Sequence, residues 1–109
     1  DILLGIFGAS PKAGRVIPNK VYQALACGRP LITRAAETYP EELVADRDSG
    51  ISFVRPGDAR ALAAATASLV ARRHTLAERG LLARRSYERY FSSASVKRAL
   101  LAALAAIDL

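Results

Sequence analysis

The sequence predicts an α/β fold in which helices flank a parallel sheet. Three short apolar runs alternate with two helical segments, and three further helical segments follow the third run. Alternating strands and helices are typical of parallel sheets with right-handed crossovers. The chain has 109 residues, of which 51% are hydrophobic, so it is at most one domain and can bury a core. We therefore expect a single domain, residues 1–109.

The first strand is predicted over Ile2–Phe7, an unbroken apolar run that is expected to be covered on both faces. A loop rich in Gly, Ser, Pro, Lys and Arg follows it. The next helix is predicted over Asn19–Cys27. Asn19 is expected to cap its first amides, and Gly28 suits a left-handed exit.

The second strand is predicted over Pro30–Thr33, where proline can stand only at the start of a strand. A short helix follows, with Glu41 and Glu42 in its first turn, where their charges complement the helix dipole. The third strand lies in the segment GISFVRPGD and is closed by the turn Pro56-Gly57.

The next two helices each have a predicted N-terminal cap. Asp58 is expected to cap a long Ala-rich helix. Thr75 and Glu78 have the T-x-x-E spacing of a capping box, which predicts a helix that continues to about Phe91.

The C-terminal helix is predicted over residues 92–109, starting at Ser92 or Ser93. Apolar residues recur along it with helical spacing. These residues are Val96, Leu100, Leu104 and Ile107. The longest apolar run, ALLAALAAI, is too short to span a bilayer.

The net charge of +6 is concentrated between Arg72 and Arg98, where eight basic residues face two acidic ones. Three interpretations of this basic segment remain open. A solvated helix face is favoured, an anionic membrane surface is second, and nucleic acid is last. Nucleic-acid binding is not expected, because no stacking aromatics are interleaved with the arginines and no known module is evident.

The start of the sequence and its single cysteine predict that the chain is part of a longer protein in a reducing compartment. The chain begins at Asp1 without an initiator Met or a leader, so we expect a piece of a longer protein with further strands upstream. Cys27 is expected to be a small buried hydrophobic residue. One cysteine cannot form an internal disulfide, which fits a reducing cytoplasm.

The loop between the first strand and the first helix indicates an anion site. Ligands of open α/β sheets bind beyond the carboxyl ends of the strands, and helix-start amides at Asn19 and Lys20 suit a phosphate. Four loop residues add backbone access or positive charge. These are Gly8, Ser10, Lys12 and Arg15. A plain solvated loop fits the charge equally well, and neither a G-x-G-x-x-G fingerprint nor a P-loop is present.

Several segments together resemble one family. The segments IPNKVYQALACGRPLITR, PEELV, SGISFVRPGDARALAAA and ERGLLARRSYERYFS occur in order and cover nearly the whole chain. They resemble the C-terminal, donor-binding domain of family 4 (group 1) glycosyltransferases. The resemblance implies the GT-B fold, in which two Rossmann-like domains face one another, and thus a truncated Rossmann-like sheet from a partial C-terminal domain.

The resemblance also implies roles for individual residues. The family's glutamate that binds the ribose hydroxyls is matched by Gln23, and its second glutamate, eight positions earlier, is matched by Arg15. Both carboxylates of that pattern are therefore absent. Arg15 and Lys20 are expected to stabilise the charge that develops on the diphosphate. Substrate binding is expected from Gly8, Ser10, Asn19, Lys20 and Gln23, while Glu37 could approach the sugar.

The implied activity is retaining transfer of a hexosyl-type group from a nucleoside-diphosphate sugar, without a metal or other cofactor. The expected partners are the sugar donor, the missing N-terminal acceptor domain and an anionic membrane surface at the cytoplasmic periphery. The fragment alone is expected to be inactive. The alternative is a catalytically silent Rossmann-like module that binds a nucleotide or another anion.

Overall fold

The computed structural model describes residues 1–107, which form a three-stranded parallel sheet flanked by helices. The strands are β1 (Leu3–Leu4), β2 (Leu31–Arg34) and β3 (Ile51–Val54), in the spatial order β1-β2-β3. The helices are α1 (Asn19–Ala26), α2 (Glu41–Ala45), α3 (Ala59–Ala71), α4 (Leu76–Ser86) and α5 (Ser93–Ala105). The predicted α/β class and element order are confirmed, and the fold is Rossmann-like.

The central strand β2 carries the core on both of its faces. Leu31 packs with residues of α1, α2 and α4 on one side of the sheet. Its neighbour Ile32 packs with Val54 of β3 and Leu69 of α3 on the other side. Successive strand residues point to opposite faces, so a strand covered on both faces must be apolar throughout.

Strand β1 differs from its prediction, because it is shorter than Ile2–Phe7 and is not covered. The side chains of Leu3 and Leu4 are 37% and 52% exposed. Within residues 1–107, β1 pairs only with β2, and its ladder becomes irregular after Leu4. The Gly5 amide donates to the Ile32 carbonyl (2.8 Å), but the Arg34 amide donates to Ile6 (2.9 Å) rather than to Gly5. This bulge ends the strand early.

The bulge explains why residue 5 is a glycine. A Cβ at Gly5 would collide with the hydroxyl oxygen of Thr33. That hydroxyl bonds the backbone of Ile6, accepting from its amide (3.2 Å) and donating to its carbonyl (3.3 Å). The close approach of the two strands therefore leaves no room for a side chain at this position.

The predicted cap of α3 is confirmed, and α5 starts where it was predicted, at Ser93 after the cap residue Ser92. The Asp58 carboxylate accepts a hydrogen bond from the Ala61 amide (2.9 Å) at the start of α3. The Ser92 hydroxyl accepts from the Ser95 amide (3.1 Å) at the start of α5.

The other two predicted caps are wrong. Asn19 is the first residue of α1 rather than its cap, which is Pro18, so its side chain is too far along the helix to cap it. Thr75 does not form a capping box with Glu78, because a short 3₁₀ turn precedes α4. Its hydroxyl donates instead to the Arg72 carbonyl (2.7 Å).

Helix α4 packs its backbone against the loops that precede β2 and β3. A Cβ at Gly80 would collide with the Gly28 carbonyl, and one at Gly50 would collide with the Ala83 amide. Gly28 has a φ of 66°, which confirms the predicted left-handed exit from α1. The Ser86 hydroxyl also donates to the carbonyl that precedes Gly50 (2.8 Å).

The helical backbone continues beyond α4, as a π-helical turn over Tyr87–Phe91, before α5 begins. The structure confirms a C-terminal helix, but it ends at Ala105, and residues 108 and 109 of the predicted range lie outside the described residues. The predicted apolar residues Val96, Leu100, Leu104 and Ile107 are exposed. Within residues 1–107, no helix has both the length and the apolar character needed to cross a bilayer.

Cys27 is exposed, so the prediction that it is buried is wrong. Its backbone closes α1 by donating to the Gln23 carbonyl (3.0 Å). The buried face of this helix is formed by Val21, Ala24 and Leu25, which recur at helical spacing and do not include residue 27.

Candidate functional site

The candidate site is an open pocket of about 930 Å³ at the carboxyl edge of the sheet. Three segments line it: the loop after β1, the residues that follow β2, and helix α2. Its charged and polar lining residues are Arg15, Arg34, Glu37, Tyr39 and Glu41. Ligands of open α/β sheets bind at this edge, because loops and helix N-termini converge there.

Arg34, the last residue of β2, is only 8% exposed although it carries a charge. Its Nη1 donates to the Gly8 carbonyl (2.7 Å), and its Nε donates to the Ala35 carbonyl (3.0 Å). Within residues 1–107 the ion pairs are Arg55–Asp58 and Arg84–Glu88, so no carboxylate neutralises Arg34. An uncompensated buried charge is unfavourable, and a bound anion would relieve it.

The loop over Arg34 is shaped by tight turns. The Gly14 amide donates to the Pro11 carbonyl (3.2 Å), and the Ser10 hydroxyl accepts from the Ala13 amide (3.2 Å). A Cβ at Gly14 would lie only 3.0 Å from Nη2 of Arg34. The absence of a side chain at residue 14 therefore lets the loop pass close to the guanidinium.

Among the site residues predicted from the sequence, Arg15 and Glu37 line this pocket. Gly8 contributes the carbonyl that holds Arg34, and Ser10 supports the turn. Asn19, Lys20 and Gln23 are exposed on α1 and do not line it. Helix α1 has no side-chain cap, so the amides at its start are not bonded by a protein side chain.

Tyr39 and Glu37 lie on the side of the pocket that follows β2. Tyr39 is buried and packs edge-to-face on Phe53, with ring centroids 5.0 Å apart. Burial raises the pKa of Tyr39 from its ordinary value, so its phenol remains neutral through the physiological range. Glu37, which was expected to approach the sugar, is exposed at the pocket wall.

Sequence reasoning missed Arg34 and Tyr39 as pocket residues. The available signal for Arg34 was a charged residue directly after the apolar run LIT, at the carboxyl end of a strand. Tyr39 gave no such signal, because the sequence does not show that it folds back towards β2. Within residues 1–107, no group of three or more His, Cys, Asp or Glu side chains could hold a metal ion.

The fold and the pocket together define a Rossmann-like α/β domain with an arginine-lined pocket at the carboxyl edge of its sheet. The family model for glycosyl transferases group 1 matches residues 6–72, which is more than half of the chain. The chain therefore belongs to the group 1 glycosyltransferases. Comparisons with curated proteins and with solved structures gave no match.

Proposed function

We propose that this chain is the donor-binding part of a retaining glycosyltransferase that uses a nucleoside-diphosphate sugar. The family supports glycosyl transfer in general. The observation that carries the proposal is Arg34, a buried guanidinium without a carboxylate partner, at the wall of a pocket large enough for such a donor. The acceptor would bind to a second domain, and the transferred group would be of hexosyl type.

The proposed mechanism is electrostatic. As the glycosidic bond to the diphosphate breaks, negative charge grows on the leaving oxygens. Fixed cations and helix-start amides stabilise such charge most when they are already oriented before the reaction. Arg34 is oriented by two carbonyls, Arg15 adds a mobile charge at the same pocket, and Lys20 stands at the start of α1. This mechanism requires no metal ion.

The remaining predicted residues would contact the donor around this charge. Gln23 would bond the ribose hydroxyls as a neutral donor and acceptor. The backbones of Gly8 and Ser10 and the amides of Asn19 and Lys20 would approach the phosphates. Because these helix residues lie outside the pocket lining, the donor would have to extend from the pocket to the start of α1.

The test measures how tightly variants bind a panel of UDP, GDP and ADP by calorimetry. Arg34→Gln is expected to weaken binding about tenfold or more, because it removes charge-assisted hydrogen bonds worth roughly 1.5–3 kcal/mol. Arg15→Gln, at an exposed position that does not threaten the fold, should act in the same direction. Arg29→Gln is the matched control, since Arg29 is exposed at the opposite edge of the sheet. Equal affinity in all three variants would contradict the proposal.

The alternative is a silent module that binds a nucleotide or another anion without catalysis, and the absence of both family carboxylates favours it. Gln23→Glu separates the two in the complete enzyme. A change in sugar transfer, in either direction, indicates an active donor site. No transfer by either form, together with retained nucleotide binding, indicates the silent module.

We also propose a cytoplasmic location, with the basic segment between Arg72 and Arg98 facing an anionic membrane. Eight basic residues against two acidic ones support this. Sedimentation with vesicles that contain phosphatidylglycerol checks the membrane part. Failure to bind at low salt would contradict it.

A further inference from the structure

A second cavity, of about 550 Å³, lies at the opposite edge of the sheet from the donor pocket. It forms where the loop before β3 meets the junction of α3 and α4. Its polar lining residues are Asp48, Arg72, Thr75, Glu78, Arg79 and Arg85. None of these residues belongs to the pocket at the carboxyl edge, so this cavity is independent of the proposed donor site, although its arginines belong to the basic segment that we propose faces a membrane.

Arg79 presents an unmade hydrogen bond in this cavity wall. Its Nε is buried and has no hydrogen-bond partner in residues 1–107. A buried donor left unbonded destabilises the fold, and more so when it is charged.

The surroundings of Arg79 are positively charged. From Arg72 to Arg85 there are five basic residues and one acidic residue. Arg72 is oriented by Ser68, whose hydroxyl oxygen lies 2.9 Å from Nη2. The carboxylates of Asp48 and Glu78 also line the cavity, yet no ion pair joins them to its arginines within the part of the chain that the structure describes.

We propose that this cavity binds a phosphate group, with Arg79 as its central ligand. The two outer NH2 groups of one guanidinium form a planar fork that matches two phosphate oxygens. Arg72 and Arg85 would neutralise the remaining charge. The phosphate can come from a free phosphorylated solute or from the headgroup of a lipid, and the chemistry of recognition is the same for both.

The test titrates the 109-residue chain with sodium phosphate at constant ionic strength and follows backbone amide shifts by NMR. We expect saturable shifts at Asp48, Gly50 and Arg79. Arg79→Gln should weaken this binding about tenfold, because the bidentate contact is lost. Arg73→Gln removes the same charge from the same segment but does not line the cavity, so it should change the affinity less than twofold.

A second variant and a second ligand complete the test. If circular dichroism shows that Arg79→Gln is unfolded, Arg85→Gln replaces it, because Arg85 is exposed. The chain is also mixed with vesicles of phosphatidic acid and, for comparison, of phosphatidylcholine. Binding to phosphatidic acid alone identifies a lipid headgroup as the ligand, provided that added phosphate or the cavity variant prevents that binding. Saturation by phosphate without vesicle binding identifies a free solute. Absence of saturation, or equal weakening by Arg73→Gln, would overturn the proposal.

Discussion

At the scale of single residues, the most informative side chain is Arg34. It ends the central strand, is almost completely buried, and bonds the carbonyl of Gly8 in a different segment. An uncharged apolar side chain at this position would avoid the cost of burying a charge. The guanidinium holds the loop after β1 through Gly8, and its unneutralised charge is what the proposed binding role uses.

Asp58 gives a prediction about pH. The hydrogen bond from the Ala61 amide, with a smaller contribution from Arg55, holds the pKa of this carboxyl below its ordinary value. The stabilisation is therefore complete above the unfolded pKa of about 3.9 and is lost as the pH falls through the lower folded pKa.

The measurement compares the urea midpoints of the natural chain and Asp58→Asn at pH 7 and pH 3. The natural chain should be the more stable at pH 7, and the difference should shrink at pH 3. Asp58→Ala is the companion variant, which loses the cap altogether and should be the least stable at pH 7. A difference that does not depend on pH would show that the charge is irrelevant.

At the scale of elements, helix α4 fixes the arrangement of the sheet and α1. It contacts the loops before β2 and β3 through backbone atoms at Gly28 and Gly50. The Arg84 guanidinium donates to the Ala26 carbonyl (2.7 Å) at the end of α1. These contacts join three segments that are distant in the sequence.

The contact between Gly80 and Gly28 predicts the effect of one methyl group. Gly80→Ala should destabilise the chain by about 1–3 kcal/mol, because backbone must move to accommodate a Cβ in a packed interface. Alanine has a higher helix propensity than glycine, so the steric cost must exceed the stability that this higher propensity adds. Chemical denaturation measures the change.

Gly8→Ala is the matched control, since a Cβ there would meet nothing within 4 Å. Its effect should stay within about 0.5 kcal/mol. If Gly80→Ala changed the stability as little as Gly8→Ala, this result would contradict the close contact between α4 and Gly28.

At the scale of the whole molecule, β1 leaves one edge of the sheet without a partner in the described residues. The exposed Leu3 and Leu4 lie on this edge. Unpaired strand edges with apolar side chains favour pairing with a second chain.

We therefore expect the 109-residue chain to self-associate through β1 or to be only marginally stable. Sedimentation equilibrium should show concentration-dependent association that Leu4→Lys reduces. Val70→Lys, at an exposed apolar position on α3, should leave it unchanged. A monomer at all concentrations with a high unfolding midpoint would contradict this expectation.

Local chemistry made much of the fold predictable. Gly28 and Asp58 were identified because each satisfies a backbone requirement that adjacent residues reveal. Asn19 was misplaced by one residue, whereas Thr75 precedes α4 as predicted but does not bond its amides, because its hydroxyl bonds the Arg72 carbonyl instead.

The pocket was less predictable, because it depends on contacts between distant segments. The loop after β1 was identified from its length and charge, but nothing in the sequence shows that it closes over Arg34. The same holds for Gly50 and Gly80, whose importance arises only when α4 docks against the loops.

The position of α4 has a consequence for how this architecture can diversify. Its close contacts lie at one end of the sheet, whereas the pocket that we propose binds the donor opens at the other. Mutations that remodel the pocket loops therefore leave the contacts of α4 with Gly28 and Gly50 untouched. Related enzymes could acquire new substrates by changing those loops while inheriting the same scaffold.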